Sequence, residues 1–405
     1  MVRGEKAKEK SGPRNKIIIG SLAIIVIVLL SILVGFNSHF FNKLISTNAI
    51  STTTPKSTTI IPTLAFNSTT TVITTTIPSR QIIYVANEGN NTISVINATT
   101  DAVVNTIDVG QDPQGIVFNP SGTFAYITGA PFSSNGPISV INTTSDTLVD
   151  MITVSSDPFG ATFNPSGSLI YVANWWNGTV SIINSTTNKI ANTITGNASN
   201  YTYGVAFNHF GTYAYITYLA YGPGIAAVRV INVSTNATVK TIKLGSSQIG
   251  GYPLPSYIAV NPSGTLAYVT TIYPESGTVS VINFTTNRVV NTISMGILPE
   301  SVAFNPTGTL AYVISRCGTT VHVYGGVRCS YQGIVSVINT TTDKVMDNIT
   351  VGRGAEQVAF NPSGTLAYVT NEFNDTVSVI NTTTDTVVDT IAVGSLPYGV
   401  ATYTT

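Results

Sequence analysis

The chain has 405 residues, 18 basic and 18 acidic side chains, and only 9% charged residues, well under the roughly 25% of ordinary soluble domains. With no net charge and no basic run beyond the first 16 residues, it carries no electrostatic footprint for nucleic acid. A 43% hydrophobic content excludes a wholly disordered chain, and two cysteines cannot frame a disulfide-built fold.

The N-terminus holds Arg3, Lys6, Lys8, Lys10, Arg14 and Lys16 against Glu5 and Glu9, followed by an uncharged run from Ile17 to Phe36. As a helix that run spans about 30 Å, the hydrocarbon thickness of a bilayer. A cleaved signal peptide has a shorter apolar stretch of about 7 to 15 residues. The expectation is a basic cytoplasmic tail at 1–16 and a transmembrane signal anchor at 17–36, with Asn37 onward outside the cell. Residues 37–80 read as a disordered Ser/Thr-rich stalk. From Ser46 to Arg80, 18 of 35 residues are Ser or Thr, with Pro55, Pro62 and Pro78 among them. That composition cannot build a core and resembles a mucin-like spacer open to O-linked sugars, or a bare linker.

From Tyr84 one pattern recurs with a period of 42 to 56 residues, the length of a propeller or solenoid repeat. The fullest copy, Val358 to Gly394, divides into four short strands, A (VAF), B (LAYVT), C (ending Ile-Asn) and D. Strands A and B meet at Asn-Pro-Ser-Gly, which has the residue preferences of a type I turn. It occurs at 119, 164, 261 and 361, as Asn-Pro-Thr-Gly at 305 and as Asn-His-Phe-Gly at 208. Seven strand-C endings predict seven blades across residues 81–405, an all-β fold. The first copy starts at strand B, while the last segment, PYGVATY from Pro397 to Tyr403, matches strand A. It is therefore expected to complete blade 1 from the other end of the chain, pairing the edges an open array would leave exposed.

YVTN stands at 368–371, with YVAN at 84 and 171, YVTT at 268, YITG at 126, YITY at 215 and YVIS at 312. These repeats resemble the YVTN-type β-propeller proteins, which include archaeal surface-layer components. The resemblance implies a seven-bladed propeller. It implies little about activity, because propellers host enzymes, binders and structural proteins alike.

Each strand-C asparagine, Asn97, Asn142, Asn184, Asn232, Asn283, Asn339 and Asn381, opens an Asn-x-Ser/Thr sequon. In a propeller the A–B and C–D turns share one face, so these sites would ring it with N-linked sugars, hydrating a charge-poor surface. The simpler reading is that Asn suits a tight turn. Eight further sequons begin at Asn67, Asn90, Asn177, Asn197, Asn200, Asn236, Asn348 and Asn374.

The opposite face carries the variable B–C and D–A loops and is the expected recognition surface. Trp175, Trp176, Tyr218, Tyr221, Tyr252, Tyr257 and Tyr273 are assigned there as aromatics able to stack on surface glycans or anchor envelope proteins. In blade 6 a long insertion from Ser315 to Gly333 contains Cys317 and Cys329, expected to pair as a disulfide in an oxidising exterior. Together with His322 they supply at most three ligands, so no metal site is expected. The propeller segment has 9 basic and 16 acidic residues. Glu88, Arg316 and Glu372 fall four residues after the strand-B tyrosine in blades 1, 6 and 7, with Arg353 and Glu356 between blades 6 and 7. They either hold an ion or small polar ligand at the channel mouth or form salt bridges between adjacent loops.

An enzyme would need a nucleophile with a base, a paired acid and base, or a metal cluster. His39, His209 and His322 have no spaced partner for any of these, and no Cys-x-x-Cys-His haem motif occurs. No cofactor is expected and no enzymatic activity is assigned. The leading expectation is a single-pass, glycosylated surface propeller serving as a cell-envelope, adhesion or protein-interaction module. A glycan or protein receptor is the second expectation. A hydrolase at the channel mouth, resembling seven-bladed lactonases, is the third.

Overall fold

The computed structural model describes residues 81–131, 135–196, 200–220, 224–246, 253–273, 276–318, 320–323, 326–329 and 332–404. The expected tail, anchor and stalk lie outside the described residues, as do Tyr221 and Tyr252. No described helix is long and apolar enough to cross a membrane.

Among the described residues, seven four-stranded antiparallel sheets follow one another along the chain, each ordered A-B-C-D. The first blade takes strand A from the far end. Pro397–Thr404 pairs with Gln81–Asn87 in the register Gln81 to Thr404, Tyr84 to Ala401 and Asn87 to Pro397. The expected closure is therefore present.

Strand B reads as a near-continuous apolar run because neighbouring blades cover both of its faces. Leu366–Asn371 is buried from Ala367 to Asn371, and Gln81–Asn87 from Ile82 onward. Double-sided burial favours such uninterrupted β-branched and aromatic sequences. The outermost strands alternate little and are mostly exposed; Thr386–Ala392 buries only Ile391.

The repeat motif assigns each of its letters a bond. Strand-B tyrosines are fully buried side chains whose hydroxyls leave their own blade for the next one. Tyr84 donates to Asp146 at 2.6 Å, Tyr126 to Asn188 at 2.8 Å, Tyr215 to Asn287 at 2.7 Å and Tyr312 to Asp385 at 2.5 Å. The acceptors occupy the last position of the C–D turn, at φ near +50° (Asp146 50°, Asn188 53°, Asp385 51°). Asp and Asn tolerate that conformation better than other non-glycine residues. Threonine two positions on from the tyrosine makes a second crossing: Thr128 Oγ1 donates to Phe159 O at 2.6 Å and Thr370 Oγ1 to Tyr398 O at 2.6 Å.

The A–B turns fold as their sequence predicts. Gly122 N donates to Asn119 O at 2.8 Å, and Asn119 Oδ1 accepts from Phe124 N at 3.0 Å. Each turn's glycine abuts the preceding turn's proline, as Gly167 does Pro120. His209 fills that proline's place against Gly264, a packing role. Blade 1 has no such turn, and Tyr403 takes its place. It stacks on Phe118 with centroids 5.3 Å apart and donates to Ser121 O at 2.7 Å.

The blade 6 insertion folds into its own hairpin, Thr320–Val323 paired with Gly326–Cys329. Among the described residues there is no disulfide. The side chains of Cys317 and Cys329, on which the expected pairing rests, lie outside them.

Candidate functional site

Strand A lines the central channel and is bulged in every blade next to the axis, between Pro113 and Ile116 in blade 2 and between Ala355 and Val358 in blade 7. The bulge replaces a ladder bond by a side-chain one: Gly115 N donates to Thr128 Oγ1 at 3.0 Å and Gln357 N to Thr370 Oγ1 at 3.1 Å. Bulges re-aim side chains, and here they turn one residue per blade toward the axis. From blade 1 onward these are Tyr398, Gln114, Phe159, Tyr203, Ser256, Glu300 and Glu356. Glycine follows in blades 1 to 4 because the blades are closest there. A Cβ on Gly115 would lie 2.7 Å from Phe159 O.

Phe159, from blade 3, crosses the axis. Its ring lies 6.1 Å from Tyr203, 6.0 Å from Tyr257 and 5.9 Å from Tyr398, which come from blades 4, 5 and 1. These rings plug the channel. Gln357 fixes the plug, its Nε2 donating to Tyr257 Oη and its Oε1 accepting from Val400 N at 3.3 Å. Burial pushes the Tyr203, Tyr257 and Tyr398 hydroxyls up, so they stay protonated.

Above the plug, toward the loop face, the mouth has two unlike arcs. In blades 6, 7 and 1 carboxylates gather round one guanidinium. Arg316 Nε meets Glu356 Oε1 at 2.9 Å and its Nη2 meets Glu372 Oε2, both carboxylates being 1% exposed. The guanidinium also lies over Phe373, 5.2 Å from the centroid. Burial opposes the charge of Arg316, but Glu356, Glu372 and Glu300 more than offset it. Glu300 accepts from Ser256 Oγ at 3.4 Å. Glu88, 5% exposed, is raised well above the usual carboxylate range by burial and then by Glu372 and Asp112; a bond to Gln114 and the more distant Arg316 oppose this only in part. Burial raises Glu356 and Glu300 as well, against the pull of Arg316. One arginine thus serves several carboxylates, and burial raises Glu88, Glu300 and Glu356 above the usual carboxylate range.

The blade 3–4 arc is aromatic. Trp175 lies 5.5 Å from both Trp176 and Tyr201 and 6.3 Å from Tyr203, and Trp176 lies 5.9 Å from Tyr201. Trp175 is tied down by its N–H to Asp157 O at 2.9 Å, while Trp176 is 56% exposed. A rigid ledge of this kind offers a large flat face at little entropic cost.

Several expectations need correction. Tyr257 is not a loop residue but stands in strand A, Leu254–Val260, facing the channel. Tyr218 and Tyr273 lie in strand B of blades 4 and 5; Tyr218 is covered by Arg229 at 5.7 Å. Arg353 is exposed and outside the carboxylate cluster, its N–H donating to Asn374 Oδ1 at 2.5 Å. Of the two readings of the charges, the salt bridges are formed. Sequence reasoning missed Gln114, Phe159, Tyr201, Tyr203, Glu300, Gln357 and Tyr398. Six could have been found by aligning strand A on its bulge, where they follow Pro113, Pro158, Pro299, Pro397 or the equivalent Thr202 and Ala355 by one or two positions; Tyr201 precedes Thr202.

On the opposite face, the strand-C asparagines cap their own turns. Asn142 Oδ1 accepts from Thr144 N at 2.9 Å and Ser145 N at 3.2 Å, and Asn381 Oδ1 from Thr383 N at 2.9 Å. The turn role is real, and it uses Oδ1, not the Nδ2 that a sugar would take.

No family model matches the chain, and no curated protein does. Solved structures do. Hydrazine synthase of Kuenenia stuttgartiensis superposes with a TM-score of 0.62 at 18% identity, over 74% of this chain and 92% of that one. A functionally unknown protein from Desulfotomaculum acetoxidans gives 0.63 at 17%, over 79% and 98%. A proposed 6-phosphogluconolactonase from Bacteroides uniformis gives 0.60 at 14%, over 80% and 99%. At these identities the likeness is one of fold: this chain is built like them, as a β-propeller.

Proposed function

We propose that the chain is a YVTN-type propeller of the cell surface, anchored by residues 17–36, spaced by the 37–80 stalk and coated with N-linked sugars. It serves as an envelope or adhesion protein by binding glycans or partner proteins at its loop face. The observation that carries this reading is the division of the channel mouth. The exposed surface is an aromatic ledge, with Trp176 56% exposed, whereas Glu356 and Glu372 are buried and tied to Arg316. Flat aromatic faces stack on sugars and anchor protein contacts; carboxylates already paired are poor acids and bases. On a glycan array the full chain should bind a defined subset of glycans, and Trp176→Ala should weaken that binding about tenfold or more. Binding unchanged by Trp176→Ala would remove the ledge from the account.

A second reading follows from Glu88 and Glu372. Burial and then the charge of Glu372 push the Glu88 carboxyl well above the usual carboxylate range; a perturbed carboxyl of this kind in a cleft is a common mark of acid–base chemistry. It favours a hydrolase, and the lactonase neighbour supplies the substrate class to try. Lactone turnover abolished by Glu372→Gln would establish it, and absence of turnover would dismiss it.

A further inference from the structure

The outer rim of the ring is charge-segregated. In blades 3, 4 and 5 the outermost strands are Lys189–Ile194, Ala237–Ser246 and Arg288–Met295; they carry Lys189, Lys240, Lys243 and Arg288 and no acidic residue. In blades 7, 1 and 2 they are Thr386–Ala392, Ala102–Asp108 and Thr147–Ser155; they carry Asp389, Asp108 and Asp150 and no basic one. The left-handed turn residue before each strand follows the same division. It is Asp385, Asp101 and Asp146 in the acidic blades, and Asn188, Asn236 and Asn287 in the basic ones. Blade 6 is mixed, with Lys344 and Asp347. In a seven-membered ring, blade 4 lies opposite the junction of blades 7 and 1, so the two arcs face opposite ways.

Both arcs are apolar and end in a sheet edge. Val104 is 48% and Val388 56% exposed in the acidic arc, and Val239 53% and Val290 56% in the basic one. Each is on the last strand of its sheet, where free N–H and C=O groups invite pairing, and the acidic-arc strands carry neither lysine nor proline to prevent it. Between blades 1 and 7, within the acidic arc, lies an open groove of about 440 Å³ lined in part by Val103, Thr106 and Val393. Of the sequon asparagines, Asn348 lies in the outer strand of blade 6, outside both arcs, while Asn236 stands just before the outer strand of blade 4 and Asn90 lines the groove.

We propose that these arcs are one another's partner: copies of this chain associate side by side, the basic rim of blades 3 to 5 on one copy docking against the acidic rim of blades 7, 1 and 2 on the next. The contact is heterologous, so it propagates into a row. Charge sets its direction and suppresses like-to-like contacts, while the valines and edge strands supply the buried surface. The loop face takes no part, so this inference stands apart from glycan or protein recognition there.

The test is sedimentation of the purified full chain in nonionic detergent. Wild type should form oligomers that grow with concentration at about 50 mM salt and fall to monomer near 0.5 M, where the Debye length is only a few ångströms. Lys243→Glu with Arg288→Glu cancels the four positive charges of the basic arc, and Asp108→Lys with Asp389→Lys removes most of the charge of the acidic arc, each leaving the other arc intact. Each double variant alone should be monomeric, and an equimolar mixture, in which the intact acidic arc of one variant meets the intact basic arc of the other, should regain dimers. Wild type monomeric up to about 100 µM, association shared by all variants, or a mixture that stays monomeric would each overturn the proposal. Restoration in the mixture also shows that both variants are folded.

Discussion

Glu88 shows what burial does to a single side chain at the channel mouth. Its folded pKa is raised by burial and by Glu372 and Asp112, as burial raises Glu300 and Glu356. A carboxyl raised on folding contributes stability that is full below its unfolded value, about 4.3 for Glu, and is lost as pH rises through the folded value. The melting temperature should therefore be higher near pH 5 than near pH 8. Glu88→Gln should flatten that dependence, and a wild type least stable near pH 5 would contradict the assignment. Asn142 separates two roles on the other face. Its Oδ1 caps the turn, so Asn142→Asp should keep stability within about 0.5 kcal/mol while removing the sequon, and Asn142→Ala should cost about 1 kcal/mol. Thr144→Ala leaves the cap and removes the sequon. Intact mass of the natively expressed chain should drop by one glycan for Asp and for Thr144→Ala alike; equal masses apart from the substituted atoms would mean the site is bare.

At the scale of the strand, legibility followed locality. Asn-Pro-Ser-Gly encodes its turn within four residues, and the six turns sit where the sequence puts them. The closing strand was legible because PYGVATY repeats the strand-A pattern without a turn after it. The channel plug was not. Phe159 meets Tyr398 from a blade 239 residues away in sequence; aligning strand A marks the two positions, but no local pattern says that their side chains meet across the axis. Loop aromatics were misplaced for a related reason: Tyr257 sits before a strand-B signal, and only the bulge shows that it belongs to strand A. The inter-blade bonds can be tested singly. Thr370→Val removes the hydroxyl that donates to Tyr398 O at nearly constant volume and should cost about 1 to 2 kcal/mol in denaturant unfolding. The same change at exposed Thr386 in the outer strand should be within about 0.5 kcal/mol. Deleting residues 397–405 leaves strand B of blade 1 and the neighbouring strand A of blade 2 uncovered. The truncated chain should aggregate; one that stays monomeric with an unchanged melting temperature would refute the role of that strand.

The whole molecule divides its surfaces: the seven strand-C sequons on the turn face, a plugged channel whose mouth is half acidic and half aromatic, and a rim with opposed charges. The low charge density of the chain fits this division, since the few ionisable groups concentrate at the mouth and on the rim. Two of these features cross a single junction. Glu88 joins Arg316 and Glu372, and the acidic rim becomes continuous, only where blade 7 meets blade 1. Both depend on the ring being closed by the last strand. Native-state hydrogen exchange tests that closure directly. The paired amides of Ile82 to Val85 and of Val400 to Thr404 should exchange as slowly as those of Ala214 to Thr217 in blade 4, an interior blade far from the junction. Fast exchange in both segments, with the interior blade still protected, would mean an open ring and would remove the junction on which the mouth and the acidic rim depend.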